Sequence, residues 1–259
     1  MELKNHTILI TGGTSGIGLA FAQKFAELGN RVIITARNQE KLDKVLAENP
    51  DLTGFASDVS DEKSLTELSK FIVANFPDLD ILLNSAGIMR AINLFDDELS
   101  LAELTAEVDT NLLGTIAVTQ KFLTVLSKNH GTVINVSSGL SNLADGAHPI
   151  YNLTKAGVHF YSDALREQAK HFGHDLRVVE LVPPLVAETN LEAHSDTTAP
   201  NNMRLSDLIE ETLTGLSKNA ERIDAGFAKT LHTMGKVDSE ENTRKLSASM
   251  LRSYFPPTK

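Results

Sequence analysis

The sequence contains no cysteine, which excludes disulfides, thiolate metal centres and a cysteine nucleophile together. Positive charge is scarce: 24 Lys and Arg stand against 34 Asp and Glu, a formal net charge of -10. A nucleic-acid surface is therefore not expected, because binding phosphates needs clustered Lys and Arg that release counterions. Long apolar runs are missing as well. Stretches such as 32–36 and 81–83 fall far short of the roughly 18 residues that span a bilayer, so no membrane partner is expected. Residues 1–6 lack the apolar segment of a secretory leader, and the expectation is a cytoplasmic protein whose folded part begins near Thr7. There is no internal repeat, low-complexity tract or linker. What remains is 259 residues, 41% hydrophobic and 22% charged, enough for a large core and compatible with one α/β domain.

Short apolar runs at 7–11, 31–35, 52–57, 79–84, 131–137 and 176–182 alternate with segments of helical period at 16–29, 38–48, 61–75, 100–128, 150–172, 204–219 and 239–253. Near-continuous apolar strands separated by helices predict a parallel sheet covered on both faces and joined by right-handed crossovers. The expected fold is therefore a doubly wound, Rossmann-like α/β domain of six strands, with a short seventh hinted at 221–224. Ser100 and Glu103 form a capping-box pattern at the start of the fourth helix, and Gly29 stands where a glycine ends the first. Residues 183–203 carry Pro183, Pro184 and Pro200 and are expected to form neither strand nor long helix, but a substrate loop or lid.

Thr11-Gly12-Gly13-Thr14-Ser15-Gly16-Ile17-Gly18 lies between the first strand and the first helix. Glycines there allow a tight turn and bring backbone N–H groups and the helix dipole onto a pyrophosphate; a bare strand-to-helix turn is the alternative. In such folds an acid about 20 residues further on holds the ribose hydroxyl of NAD. Here that place is taken by Ala36 followed by Arg37. An uncharged residue beside a guanidinium suits the 2'-phosphate of NADP, so NADP(H) is expected over NAD(H); an ordinary exposed arginine is the other reading.

Tyr151 and Lys155 lie four residues apart in the helical segment 150–172, on one face. A tyrosine of pKa near 10 is a poor acid at neutral pH, and a lysine cation beside it stabilises the phenolate, so the pair could exchange a proton with a carbonyl or alcohol oxygen. A pair merely facing solvent is the alternative. His171 and His174 read as a solvated helix end, and Asp96, Asp97 and Glu98 as a solvated loop; no metal site is expected. Asp145 and His148 either touch substrate or cap the helix, and Met89 and Arg90 are placed near the pocket, with Arg90 able to attract an anion.

Together these residues resemble the short-chain dehydrogenase/reductase family over most of 6–190. Residues 11–18 look like its TGxxxGIG loop, Asp58-Val59 like its adenine site, and Asn84-Ser85-Ala86-Gly87 like its NNAG motif with Ser85 departing at the second position. Asn111 matches its catalytic asparagine, Ser138 its catalytic serine, and Tyr151 and Lys155 its YxxxK pair. The resemblance implies that Tyr151 is the general acid or base, that Ser138 bonds the substrate oxygen, and that Lys155 tunes Tyr151 and holds the nicotinamide ribose. It implies that Asn111 positions a relay water. The implied dinucleotide contacts are Gly12, Thr14, Ser15, Gly16, Ile17, Gly18, Arg37, Asp58, Val59, Asn84, Ala86, Gly87, Tyr151, Lys155, Pro183, Val186 and Thr189. The chain departs from the family in Pro183-Pro184 for Pro-Gly, in a threonine one residue late at Thr189, and in lacking the usual apolar seventh strand. A homodimer through helices 100–128 and 150–172 is implied, as is an oxidoreductase interconverting carbonyl and alcohol on a small molecule. A dinucleotide-sensing module without catalysis is the rival.

Overall fold

The computed structural model describes residues 2–189, 191 and 202–256. Among them, β1 (Thr7–Thr11), β2 (Arg31–Ala36), β3 (Leu52–Ala56), β4 (Ile81–Asn84), β5 (Thr132–Val136), β6 (Arg177–Val182) and β7 (Arg222–Asp224) form one parallel sheet in the order β3-β2-β1-β4-β5-β6-β7. The hint of a seventh strand becomes β7, paired with β6 through Leu181 and Ile223. The helices are α1 (Gly16–Glu27), α2 (Gln39–Glu48), α3 (Glu62–Asn75), α4 (Leu101–Glu107), α5 (Gly114–Lys128), α6 (Pro149–His171), α7 (Leu205–Ser217), α8 (Ala228–Lys236) and α9 (Ser239–Tyr254).

Strand side chains alternate between faces, and both faces are buried. Ile8, Ile10, Val32 and Ile34 share one core with Phe21 and Phe25 of α1, Leu42 of α2 and Leu208 of α7. Leu9, Ile33, Leu82 and Val133 meet Leu68 and Ile72 of α3 and Phe122 and Leu126 of α5 on the other. This two-sided burial is why the strands read as unbroken apolar runs.

Two segments depart from the sequence expectation. The run 100–128 is not one helix: α4 passes into a π-helical turn, Val108–Leu113, before α5. Such a turn holds one extra residue, which periodicity does not show; here it carries Asn111 inward. The start of α4 is as expected, with the Glu103 N–H donating to Ser100 Oγ at 3.2 Å and the Ser100 N–H to Glu103 Oε2 at 2.9 Å. The second departure is α8, a nine-residue helix between β7 and α9 where the sequence predicts none; it is too short to give a long periodic signal. Of the expected loop, 190 and 192–201 lie outside the described residues. Its two ends nonetheless meet in a single parallel bridge between Val186 and Met203, with the Met203 N–H donating to Leu185 O at 2.9 Å. No described helix is long and apolar enough to cross a membrane.

Candidate active site

The strand order reverses between β1 and β4, and in open α/β sheets the crevice outside the carboxyl ends of the strands at that point is the binding position. A cleft of about 570 Å³ opens there. Its floor is the glycine loop. Gly12 and Gly16 have φ of +68° and +53°, a region L side chains rarely adopt. A Cβ on Gly12 would lie 2.8 Å from Ala86 Cα, and one on Gly18 would collide with the Gly12 carbonyl oxygen. The loop is thus folded tightly onto α1. Ser15 caps that helix without a side-chain bond, and its first turn holds no acid, so the N–H groups stay available. Thr14, Ser15, Gly16, Ile17 and Gly18 all line the cleft. Thr11 Oγ1 accepts the N–H groups of Ser85 and Ala86, each at 3.1 Å, and so ties the end of β1 to the segment after β4.

Around this floor the cleft wall collects Ala36, Arg37, Val59, Ala86, Gly87, Pro183, Val186 and Thr189, each where the sequence placed a site residue or its neighbour. Arg37 is exposed at the end of β2. Thr189 packs near Gly16, where an added Cβ would lie 3.3 Å from the threonine methyl, and its hydroxyl donates to Val186 O at 2.9 Å. Asp58 and Asn84 are not in the wall. Asp58 Oδ1 accepts from the Ser60 N–H at 2.9 Å and hydroxyl at 2.7 Å, while its neighbours Ser57 and Val59 face the cleft. Asn84 is buried behind it, donating at 2.9 Å to both Thr119 Oγ1 and Asn135 Oδ1.

At the far wall stand Ser138, Tyr151 and Lys155. Ser138 follows β5 and caps a single 3-10 turn, its Oγ accepting from the Leu140 N–H at 3.2 Å. Tyr151 and Lys155 lie one turn apart on α6, with Lys155 Nζ 5.6 Å from the centre of the Tyr151 ring. Lys155 Nζ donates to Val136 O at 2.8 Å, and burial pushes its ammonium down from 10.5 to about 8. Asn111 is fully buried and clasps Ile88 at both backbone groups, at 2.8 Å each, and donates to Thr154 Oγ1 at 3.2 Å. It is absent from the wall itself, yet it reaches Gly87, where an added Cβ would stand 3.4 Å from Asn111 Oδ1 and 3.7 Å from Lys155 Nζ. The asparagine and lysine therefore flank one glycine.

Asp145 and Arg90 take different positions. Asp145 lines the cleft, but its Oδ1 accepts the Ala147 and His148 N–H groups at 2.7 and 2.9 Å and faces His148 Nδ1, so it organises the approach to α6. Arg90 turns away: its guanidinium bonds the Glu103 carbonyl and approaches the buried Glu107 at 4.0 Å, and it does not line the cleft. An anion-attracting Arg90 is thereby overturned, since a buried carboxylate pulls on the cation from behind. Burial pushes the Glu107 carboxyl up, with the Arg90 N–H and charge opposing.

A family model described as short chain dehydrogenase matches residues 6–200. An oxidoreductase of Bacillus subtilis strain 168, DltE, is 32% identical over 196 residues, which is 75% of this chain and 77% of that protein. The chain belongs to the short-chain dehydrogenase family. Among solved structures this dehydrogenase resembles a short chain dehydrogenase from Burkholderia cenocepacia J2315 in complex with NADP, at a TM-score of 0.82 and 21% identity over 95% of this chain and 99% of that one. It also resembles a short-chain dehydrogenase/reductase from Burkholderia phymatum in complex with NAD, at 0.79 and 18%, over 100% and 99%. Both likenesses concern the fold.

Sequence reasoning missed several residues of the dehydrogenase cleft. Leu185, Phe227, Leu231, Leu246 and Met250 also line the cleft. The spacing of Leu246 and Met250 on α9 was the available signal, but nothing local says that α9 meets Gly146 and His148, about 100 residues earlier in the chain.

Proposed function

We propose that this protein is an NADP(H)-dependent oxidoreductase that interconverts a carbonyl and an alcohol on a small molecule, with Tyr151 as general acid and base. The observation that carries this reading is the meeting of Tyr151, Lys155 and Ser138 in the same cleft as the glycine loop, with a buried ammonium 5.6 Å from the phenol ring. The cleft's volume of about 570 Å³ lies in the usual range for ligand sites, roughly 300–1,000 Å³. Its residues fit a dinucleotide. The N-terminus of α1 suits a pyrophosphate, and the glycines leave the backbone accessible. Arg37 stands beside uncharged Ala36 where a 2'-phosphate would lie. Asp145 is the sole carboxylate among the described lining residues, and it is held by its own backbone contacts. The names of the two structural neighbours, one with NADP and one with NAD, favour a nicotinamide dinucleotide without choosing between them.

When bound, the nicotinamide supplies or accepts the hydride at the carbonyl carbon. The chain's own residues manage the oxygen. Ser138 Oγ donates to it and orients it. Tyr151 delivers a proton to the oxygen during reduction and removes it during oxidation. Lys155 holds the phenolate form in reach by its charge, which acts strongly because water is excluded. Asn111 fixes Ile88 and the neighbouring Gly87 beside Lys155; its amide donors are taken by Ile88 O and Thr154, and Oδ1 and the main-chain O each already accept one bond, from the Ile88 N–H and the Thr115 hydroxyl, so a relay water would use a second lone pair of one of these oxygens. The chain acts as a homodimer through α5, the turn before it and α6, where Leu113 of the turn and Leu153 and Phe160 of α6 are left exposed.

The test is Tyr151→Phe. The variant is expected to bind NADPH near the wild-type affinity, read by fluorescence, and to lose at least about 100-fold in turnover, in line with the worth of a positioned proton donor. Full turnover in the variant overturns the mechanism. Tight NADPH binding with no turnover of any carbonyl by the wild type would leave the sensing module instead.

A further inference from the structure

The reading above leaves the substrate end of the cleft without a chemistry, and the C-terminal helices supply one. Leu231 of α8 and Leu246 and Met250 of α9 face the same cleft as Tyr151 and Ser138, beside Leu140, Leu185 and Phe227. Helix α9 has no buried residue of its own over its 16 positions, so packing into the core does not explain its place. It is nevertheless pinned against the catalytic segments. A Cβ on Gly146 would stand 2.9 Å from Leu251 Cδ1, and the Tyr254 ring meets the His148 ring edge-on at 4.8 Å. Helix α8 docks as closely on the loop after Ser138: a Cβ on Gly139 would lie 2.6 Å from Leu231, and one on Gly235 would collide with the Asn142 carbonyl. Both helices lie beyond residues 6–200, the part matched by the family model.

Charge is as telling as shape. Among the described lining residues the cations are Arg37, at the end of β2, and Lys155. Lys155 is bonded to Val136 O, and Arg90 is drawn away to Glu103 and Glu107. Among the described lining residues at this end of the cleft, a substrate carboxylate or phosphate would lose its water and meet hydroxyls such as Ser138 and Ser249 but no cation to balance its charge.

We infer that α8 and α9 form an apolar substrate wall and that the substrate is an uncharged aliphatic or aryl carbonyl compound, or its alcohol, whose apolar body lies against Leu231, Leu246 and Met250. The inference rests on the oxidoreductase reading of this cleft, and the experiment separates the two.

Wild-type protein with NADPH is given straight-chain aldehydes of increasing length, each with its ω-carboxylate counterpart. The expected result is a kcat/KM that rises roughly three- to fourfold per added methylene until the wall is covered. The carboxylates should fall at least about 100-fold below their neutral partners. Leu246→Ala and Met250→Ala should flatten the dependence of kcat/KM on chain length. Met250→Lys should improve the ω-carboxylates. A second arm measures binding of long-chain neutral and carboxylated ketones to the NADPH complex of Tyr151→Phe by calorimetry, which reads the wall without chemistry. Equal binding or turnover of neutral and carboxylated compounds, or no dependence on length, overturns the inference. Preferential neutral binding with no turnover by the wild type upholds the wall and removes the oxidoreductase reading.

Discussion

A lysine ammonium held inside a protein against one carbonyl costs folding free energy, and Lys155 is such a group. Its pKa is brought down from 10.5 to about 8 by burial, a displacement equivalent to about 3 kcal/mol. The sign follows from linkage: the unfolded chain keeps this proton up to about pH 10.5 and the folded, dinucleotide-free protein gives it up near 8. The penalty is therefore complete below pH 8 and fades as pH rises through this window. Lys155→Met should remove it, offset in part by leaving the Val136 carbonyl unpaired at a cost of about 1–3 kcal/mol. We expect a Tm up to a few degrees above wild type at pH 7, with turnover lost, and a gap that shrinks above pH 8 and reverses before pH 10.5, all read by calorimetry. A variant less stable than wild type at pH 7 would show that the lysine is a structural asset. Arg37 belongs to the same scale. Its guanidinium is exposed beside the cleft, so Arg37→Asp should raise KM for NADPH roughly 10- to 100-fold, the worth of a charged hydrogen-bonded pair, and lower KM for NADH. Unchanged constants with both dinucleotides would remove Arg37 from the 2'-phosphate site.

Elements differ in how far they can be read from their own residues. The unit β1–glycine loop–α1 is local: an apolar run, glycines at the turn and a helical stripe sit within 25 residues, and each feature has its own physical cause. The Tyr151–Lys155 pair is equally local, since one helical turn brings i and i+4 together. The orientation of a side chain at an element's end is not local. Asn84 turns into the sheet because Asn135 and Thr119, brought by other segments, bond its amide, whereas Asp58 is taken by Ser60 two residues on, a local turn that the motif alone does not reveal. The π-helical turn at Asn111 escapes for a related reason: one extra residue in a turn leaves hydrophobic spacing almost unchanged, and its cause is the clasp on Ile88, 23 residues away. A prediction belongs to the first of these elements. Gly18→Ala would drive a methyl against the Gly12 carbonyl and part the loop from α1. It should cost about 1–3 kcal/mol of stability and weaken NADPH binding more than tenfold, measured by urea denaturation and fluorescence titration. Normal binding by the variant would show that the loop's tightness does not serve the dinucleotide.

At the scale of the whole molecule, the formal net charge of -10 makes association between copies electrostatically unfavourable, so a stable dimer needs an apolar face to overcome the repulsion. One is available. Leu153 and Phe160 are 55% and 71% exposed, seven residues apart on α6 and hence on one side of it, and Leu113 before α5 is 51% exposed. Gly157 of α6 lies so close to Leu112 that an added Cβ would stand 2.9 Å from its methyl, which brings the turn carrying Leu113 alongside α6. A two-fold axis on this face would bury each side chain twice and leave the cleft, on the sheet's carboxyl edge, open. Sedimentation at micromolar concentration should give a dimer for the wild type and a monomer for Leu153→Glu/Phe160→Glu, because each copy of the interface would then desolvate four carboxylates. Raising salt should strengthen the wild-type dimer slightly by screening the net charge. A double variant that sediments as the wild type does would mean that copies associate elsewhere or not at all. Monomerisation with NADPH affinity intact would place this face in assembly and outside dinucleotide binding.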